Sequence, residues 1–596
     1  MIRVPLRPLA RIITAREQGR DPDLEEAERR ASALRARRAR ERSRSANRLV
    51  MVAGVIALAY GAVATQMTDL ALSTPEPLRS AHSADELRNA RADIVDRNGM
   101  VLATNLPVAS LFAESRQMVD PLAAAEGLAR VFPDLDADTL YERFTGPGNF
   151  HWIRDTISPE EAQAVHDLGQ PGLFLGDREM RIYPAGRPVA HLIGGARFER
   201  LSADGAEIIG IAGVEHGFES RLSDPGSLAE PLALSIDLRV QAAMRDVLVE
   251  EMERFDARGA AGILMDPHTG EIVAMVSLPD FDPNDRPLAS GYAGDSPLFS
   301  RAAQGVYELG STFKPFQAAI AMEAGVATPS TMIDTRAPLR WGRFAINDVH
   351  RMGPELSLHD VIVRSSNVGT ARLAQLTGID AQRAFFQRLG FLEPTGLELP
   401  EAGTARPILP ERWSEISMMT ISYGHGLSVS PVHLAAGYAA IANGGLRVEP
   451  TLVAGARPPG EESRVMREQT TAALRAMMRD VVAIPEGTAN FAEVPGFEVA
   501  GKTGTAEKPV GGGYAEDAVI STFAGFFPAS DPAYVLVVTL DEPEDRSGPV
   551  VRRTAGWTAA PASANVIRRI APILGLRPRD AAPMADPDGV TLVGFR

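Results

Sequence analysis

The longest apolar run in the chain is LVMVAGVIALAYGAVATQM, Leu49–Met67, with no charge in 19 residues. A helix rising 1.5 Å per residue needs about that length to cross a bilayer. Before it, LEEAERRASALRARRARERSR (Leu24–Arg44) is rich in helix formers and predicts a helix close to an anionic membrane surface. Arginines crowd the N-terminal flank and Asp69 opens the other, so the charge rule predicts residues 1–48 as a cytoplasmic tail and 49–67 as a single transmembrane helix. Everything after about Thr68 then lies outside. A cleaved signal peptide is the alternative, since Ala62-Val63-Ala64 reads as a cleavage site; the long preamble favours an uncleaved anchor.

Beyond a polar linker, Thr74–Glu86, the pattern shortens. Arg91–Asn105 reads as strand, turn at Asn98-Gly99, strand. Leu232–Phe255 reads as a strand, an Asp237 cap and an amphipathic helix. Gly259–Pro279 reads as a hairpin, two apolar runs about Asp-Pro-His-Thr-Gly. Strands return in Val519–Pro543, followed by a helix around Ala559–Leu574. Strands flanking a helical middle predict one large α/β (α+β) domain over residues 232–576. Residues 68–231 form a separate domain, and residues 577–596 a flexible C-terminal tail. No internal repeat is present.

Charge sharpens this picture. The formal net charge of -15 conceals a tail, residues 1–48, with 14 arginines and seven acids. The remainder is strongly acidic, which argues against nucleic acid as a partner. Cysteine is absent, so no disulfide or thiolate metal site can form, and the pattern implies neither cofactor nor metal.

Of 61 basic residues only three are lysine: Lys314, Lys502 and Lys508. Arginine stays protonated in proteins, whereas lysine can release its proton when its surroundings disfavour the charge. Lys314 follows Ser311 by three, one helical turn away, with Pro315 suited to a first turn. There the helix N-terminus disfavours an ammonium, and a neutral Lys314 could activate Ser311 as a nucleophile. Alone, this S-x-x-K also reads as an N-cap with a solvated lysine. Ser365-Ser366-Asn367 opens another helix, where Ser365 and Asn367 could relay a proton and hold a substrate amide, or simply cap. Gly501-Lys502-Thr503-Gly504-Thr505 follows an extended segment. Its glycines permit close backbone approach and its lysine and hydroxyls suit a carboxylate, or it is only a strand end. Lys508, before a glycine-rich stretch, reads as a solvated charge past that strand.

Together the three elements, starting 54 and 137 residues apart, resemble the penicillin-binding protein and serine β-lactamase superfamily. The resemblance implies an antiparallel sheet flanked by helices. It implies Ser311 as acylated nucleophile, Lys314 as base, Ser365 and Asn367 as relay and amide contact, and Lys502, Thr503, Gly504 and Thr505 as binding residues. The N–H groups of Ser311 and Thr505 become the implied oxyanion hole. Arg91–Asn105, Arg181–Gly194, Gly213–Phe218 and Tyr423–Ala435 extend the likeness to class B, monofunctional penicillin-binding proteins, with residues 68–231 as an elongated, dimerisation-like pedestal. Ser365-Ser366-Asn367 and VAGKTGTAEKP are similar to the division-specific, FtsI-type members; elongation-specific relatives usually carry S-C-D. His425 departs from the tyrosine more usual there. No acidic glycosyltransferase signature occurs between Asp69 and Pro231.

That likeness implies a single-pass inner-membrane D,D-transpeptidase at the division septum, with its N-terminus cytoplasmic and its catalytic domain periplasmic. Its partners would be peptidoglycan stem peptides ending in D-Ala-D-Ala, β-lactams, and cell-division membrane proteins including a septal glycosyltransferase. The alternatives are an elongation-type enzyme, a D,D-carboxypeptidase or β-lactamase, or a β-lactam sensor or scaffold.

Overall fold

The computed structural model describes residues 9–72, 91–202, 205–288, 294, 296–510 and 513–579. The Thr74–Glu86 linker and residues 580–596 of the expected tail lie outside them. The chain divides into two compact units, residues 1–83 and 84–596.

The first unit holds the helices Leu9–Glu17 and Pro22–Leu72. Asp23 and Glu25 lie in the first turn of the longer one, where negative charge complements the free N–H groups. The expected Leu24–Arg44 helix and the Leu49–Met67 run are thus parts of one helix. Among the described residues no helix is long and apolar enough to cross a membrane. Positions 49, 50, 59, 62, 63 and 65–67 of the run fall outside the residues whose side chains are described.

The second unit starts with the expected strand–turn–strand. Ile94–Val95 and Val101–Glu114 pair antiparallel around Gly99, whose φ of +81° only glycine adopts readily. Asp96 closes this turn by accepting from the N–H groups of Asn98 and Met100, both at 2.8 Å. Phe150–Ile157 and Leu173–Ile182 extend the sheet, and the helices Pro121–Val131 and Ala137–Thr145 cover it around Leu111, Leu128, Phe132 and Phe144. Leu232–Ala233 pairs in parallel with Ile94–Val95, so the two sides of residue 231 share a sheet. A buried ionic cluster sits close by. Glu215, fully buried, accepts from Arg91 Nε at 2.5 Å and Arg181 Nε at 2.7 Å.

A second five-stranded sheet organises the C-terminal half. Its order is Ala500–Val510, Gly513–Phe527, Tyr534–Asp541, Gly259–Met265, Ile272–Leu278, antiparallel throughout. Every residue of Gly259–Met265 and Ile272–Leu278 is buried, so both faces are covered. The helices Leu238–Arg254 and Ala559–Ile570 pack together on one face, and Pro431–Ala442 on the other. Asp237 caps its helix as expected, accepting from the N–H of Arg239. One hydrophobic core runs from Ile94 and Leu102 through this sheet to Phe313, Phe316 and Tyr438. Ala500–Val510 remains an edge strand, with one side open to a neighbouring turn. That turn carries Ser311.

Candidate active site

Ser311 lies in the 3-10 turn Gly310–Phe313, which runs directly into the helix Lys314–Glu323 with Pro315 in its first turn. The turn is wedged between two backbones. Gly310 has φ +55°, donates to Gly424 O at 3.1 Å, and a Cβ on it would lie 2.7 Å from Thr505 O and 3.1 Å from Thr505 N. Across from it, a Cβ on Gly504 would meet Leu309 O at 2.1 Å. Glycine at 310 and 504 therefore lets the edge strand press against the turn that carries Ser311, bringing the backbone of residue 505 beside that of 311.

Lys314 is fully buried behind this turn. Its Nζ lies 2.5 Å from Ser365 O, 3.0 Å from Ser365 Oγ and 2.8 Å from Asn367 Oδ1. Lys502, equally buried, approaches from the edge strand, with Nζ 3.0 Å from Ser365 Oγ and 3.1 Å from Thr503 O. One hydroxyl thus sits between two ammonium-type nitrogens. Desolvation, and secondarily the facing Lys502, hold Lys314 well below the ordinary lysine range. Burial pushes Lys502 down to about 7. A neutral Lys314 has two N–H groups and one lone pair. It can donate to Ser365 O and Asn367 Oδ1 while the Ser365 hydroxyl donates to its lone pair and accepts from Lys502. Every group is then satisfied with one of the two lysines uncharged. Lys314 Nζ is not hydrogen-bonded to Ser311 Oγ; its neighbours are those of the second motif.

Ser365 carries φ +64°, the left-handed region that disfavours a side chain. Ser366 caps the helix Asn367–Thr377 by accepting from the N–H of Gly369 at 2.9 Å. Thr503 Oγ1 lies 2.9 Å from Thr488 Oγ1, and Thr505 Oγ1 accepts from the N–H of Ala555 at 3.0 Å. Ser311, Ser365, Asn367, Thr503 and Thr505 share a cavity of about 640 Å³. Phe491 and Trp557, rings 4.9 Å apart, form an aromatic wall of the same cavity. A second cavity of about 600 Å³, lined by Arg388, Arg447, Arg457 and Arg464, holds no nucleophile–base pair. Among the described residues no cluster of carboxylates and histidines could hold a metal.

One reading needs revision. Lys508 is not a solvated charge past the strand: the strand continues to Val510 through a bulge at Glu507/Lys508. This turns Lys508 Nζ to Asp541 Oδ1 at 2.8 Å and Glu542 Oε1 at 2.7 Å, and both partners raise its affinity for the proton against the cost of burial. His425 lines the cavity with Nδ1 3.0 Å from Glu308 Oε2, and that carboxylate raises its proton affinity. Glu308 Oε1 further accepts from the N–H of Gly426 at 2.7 Å and from Tyr514 OH at 3.1 Å. Asp348, Thr488 and Trp557 were invisible to motif spacing, because each reaches the site from another segment, and Glu308 belongs to none of the three motifs. The Glu308 position, three before Ser311, was the one available signal.

Residues 260–567 match the penicillin binding protein transpeptidase domain, and residues 87–225 match the penicillin-binding protein dimerisation domain. The chain is 37% identical over 525 residues to the probable peptidoglycan D,D-transpeptidase FtsI of Caulobacter vibrioides, which covers 84% of this chain and 86% of that one. It is 33% identical over 475 residues to the probable peptidoglycan D,D-transpeptidase PenA of Neisseria meningitidis serogroup A, covering 76% and 80%. To the peptidoglycan D,D-transpeptidase FtsI of Escherichia coli K12 it is 31% identical over 533 residues, covering 83% and 87%. Fold and matches define a penicillin-binding transpeptidase domain behind a dimerisation domain. Within that class, the chain belongs to the FtsI-type, class B penicillin-binding proteins.

Proposed function

We propose that the chain is a septal peptidoglycan D,D-transpeptidase working through an acyl-enzyme on Ser311. The observation that carries this reading is the shared Ser365 hydroxyl, 3.0 Å from both Lys314 Nζ and Lys502 Nζ, in the cavity that Ser311 lines. Lys314, kept proton-poor by burial, accepts the Ser311 hydroxyl proton as Oγ attacks the carbonyl of the penultimate D-Ala. The N–H groups of Ser311 and Thr505 hold the oxyanion. The C–N bond to the terminal D-Ala breaks, and the proton passes from Lys314 through Ser365 to the departing amine. Lys502, Thr503 and Thr505 face the terminal carboxylate, whose charge restores the proton on Lys502. An acceptor amine enters where D-Ala left and attacks the acyl carbon, its bond to Ser311 Oγ breaks, and the amine's proton passes through Ser365 and Lys314 to Oγ as the cross-link forms. A β-lactam takes the first step and stays.

The Leu49–Met67 run, with its arginine-rich flank, supports a single inner-membrane anchor with residues 1–48 cytoplasmic and the catalytic domain periplasmic at the septum. Residues 68–231 act as the pedestal on which cell-division membrane proteins, including a septal glycosyltransferase, dock, and residues 232–576 as the transpeptidase domain. The test is product analysis with a D-Ala-D-Ala stem peptide and an acceptor amine. Cross-linked product with release of D-Ala supports transfer. Hydrolysis alone would make the chain a carboxypeptidase, and acylation by penicillin without turnover of peptide a sensor.

A further inference from the structure

The segment that feeds Lys314 its partners is held from outside all three motifs. The short strand Phe344–Ile346 ends, and the next two residues reach the start of the helix Asn367–Thr377. Asp348 Oδ1 accepts from the N–H groups of Asn367 at 2.5 Å and Val368 at 3.0 Å, while Oδ2 accepts from Ser366 Oγ at 2.9 Å. Asn347 O accepts from Asn367 Nδ2 at 3.1 Å, which leaves the amide oxygen turned to Lys314 Nζ at 2.8 Å. A carboxylate here meets the helix N-terminal amides, where negative charge is favoured. By holding Ser366 and Asn367 it fixes the chain immediately after Ser365, whose backbone is left-handed.

We propose that Asp348 is a positioning residue for acyl transfer, fixing Ser365 and Asn367 against Lys314 and placing a negative charge that tunes the base. The inference rests on Lys314 acting as the base. Two charges of opposite effect face that lysine: Lys502 from the edge strand lowers its affinity for a proton, and Asp348 raises it. Ser365 and Asn367 are its neutral neighbours, and His350, Arg364 and Glu486 line the adjoining cavity. Asp348 thereby limits how far the lysine drops, keeping it able to carry a proton between Ser311 and the leaving group.

Removing the Asp348 charge lowers the Lys314 pKa further, so Lys314 is free of its proton at lower pH, and the rising limb of acylation against pH moves down.

The experiment is stopped-flow acylation of the full chain by a fluorescent penicillin from pH 5 to 9, for wild type, Asp348→Asn, Asp348→Glu and Lys314→Arg, with thermal unfolding alongside. Asp348→Asn is expected to move the limb down by roughly half a pH unit or more. Its first-order acylation constant should fall about 10- to 100-fold, with little change in apparent Kd, because Ser365 and Asn367 lose their register. Asp348→Glu keeps the charge with a changed reach: the limb stays, and the constant falls less. A mere helix cap would lower the unfolding temperature and leave the limb in place, which overturns the proposal, as does a constant within twofold of wild type. If Asp348→Asn does not fold, a shifted limb in Asp348→Glu overturns it alone. Lys314→Arg separates the two layers: acylation surviving there defeats the base assignment itself, whatever the Asp348 variants do.

Discussion

Replacing Lys502 by methionine measures what a buried ammonium costs this fold. Lys502 is completely buried, and burial takes it from 10.5 to about 7. One pH unit of such displacement corresponds to about 1.36 kcal/mol, so at pH 7 the folded state bears an unfavourable contribution of about 4 kcal/mol relative to a solvated lysine. Methionine fills similar volume without the charge. It forfeits the Nζ bonds to Ser365 Oγ, Thr488 Oγ1 and Thr503 O, and leaving Thr503 O unpaired costs about 1–3 kcal/mol. The balance is a stabilisation of about 1–3 kcal/mol at pH 7, from the difference of those two figures. The pH dependence has a definite sign. The folded pKa lies below the unfolded value of about 10.4, so between about pH 7 and 10.4 the unfolded chain binds more protons and stability rises with pH. It is lost as pH falls through about 7. Lys502→Met deletes that slope and, by removing the charge that faces Lys314, also shrinks the like-signed slope that Lys314 contributes. The assay is denaturant unfolding of both proteins at several values between pH 6 and 9.5, beside the penicillin acylation rate, which should fall at least 100-fold. A variant less stable than wild type at pH 7, with an unchanged slope, would refute the reasoning.

Lys314→Arg puts a permanent charge where the lysine is held proton-poor, and it cannot deprotonate; its second-order rate of penicillin acylation should drop to background, with unfolding temperature as the folding control. Glu215→Ala strands Arg91 and Arg181 without their shared carboxylate in a buried site, and denaturant unfolding should register a loss of about 3–5 kcal/mol. Lys508→Arg should acylate and unfold like wild type, because an arginine can keep the pairs with Asp541 and Glu542. Lys508→Ala should lose up to about 1 kcal/mol of stability, and the acylation rate should not move.

Local patterns in the chain foretold local structure well. The Gly259–Pro279 hairpin, the Asp237 cap and the helix start at Ser365-Ser366-Asn367 appear where short-range rules put them, because each depends on residues within a few positions. Ser311 and Lys314 were legible as a pair for the same reason. Their shared partner was not: Lys314 meets Ser365 and Asn367, 51 and 53 residues away, and only the folded chain sets that distance. Lys508 was misread because the glycines after Val510 look like a turn beginning earlier, whereas the strand runs through a bulge at Glu507/Lys508 to Val510 and turns Lys508 to its ion pairs. Asp348 left no trace at all. A single carboxylate in Asn347-Asp348-Val349 has no periodicity or spacing to mark it, and its chemistry arises from the helix terminus that it meets.

The most direct measurement is the intact mass of the full chain after penicillin treatment, followed by mapping of the modified peptide. The account predicts one penicilloyl group per folded chain, carried by Ser311, and none on folded Ser311→Ala or Lys314→Arg. An adduct on any other residue, or unmodified wild-type protein that unfolds cooperatively, would contradict it.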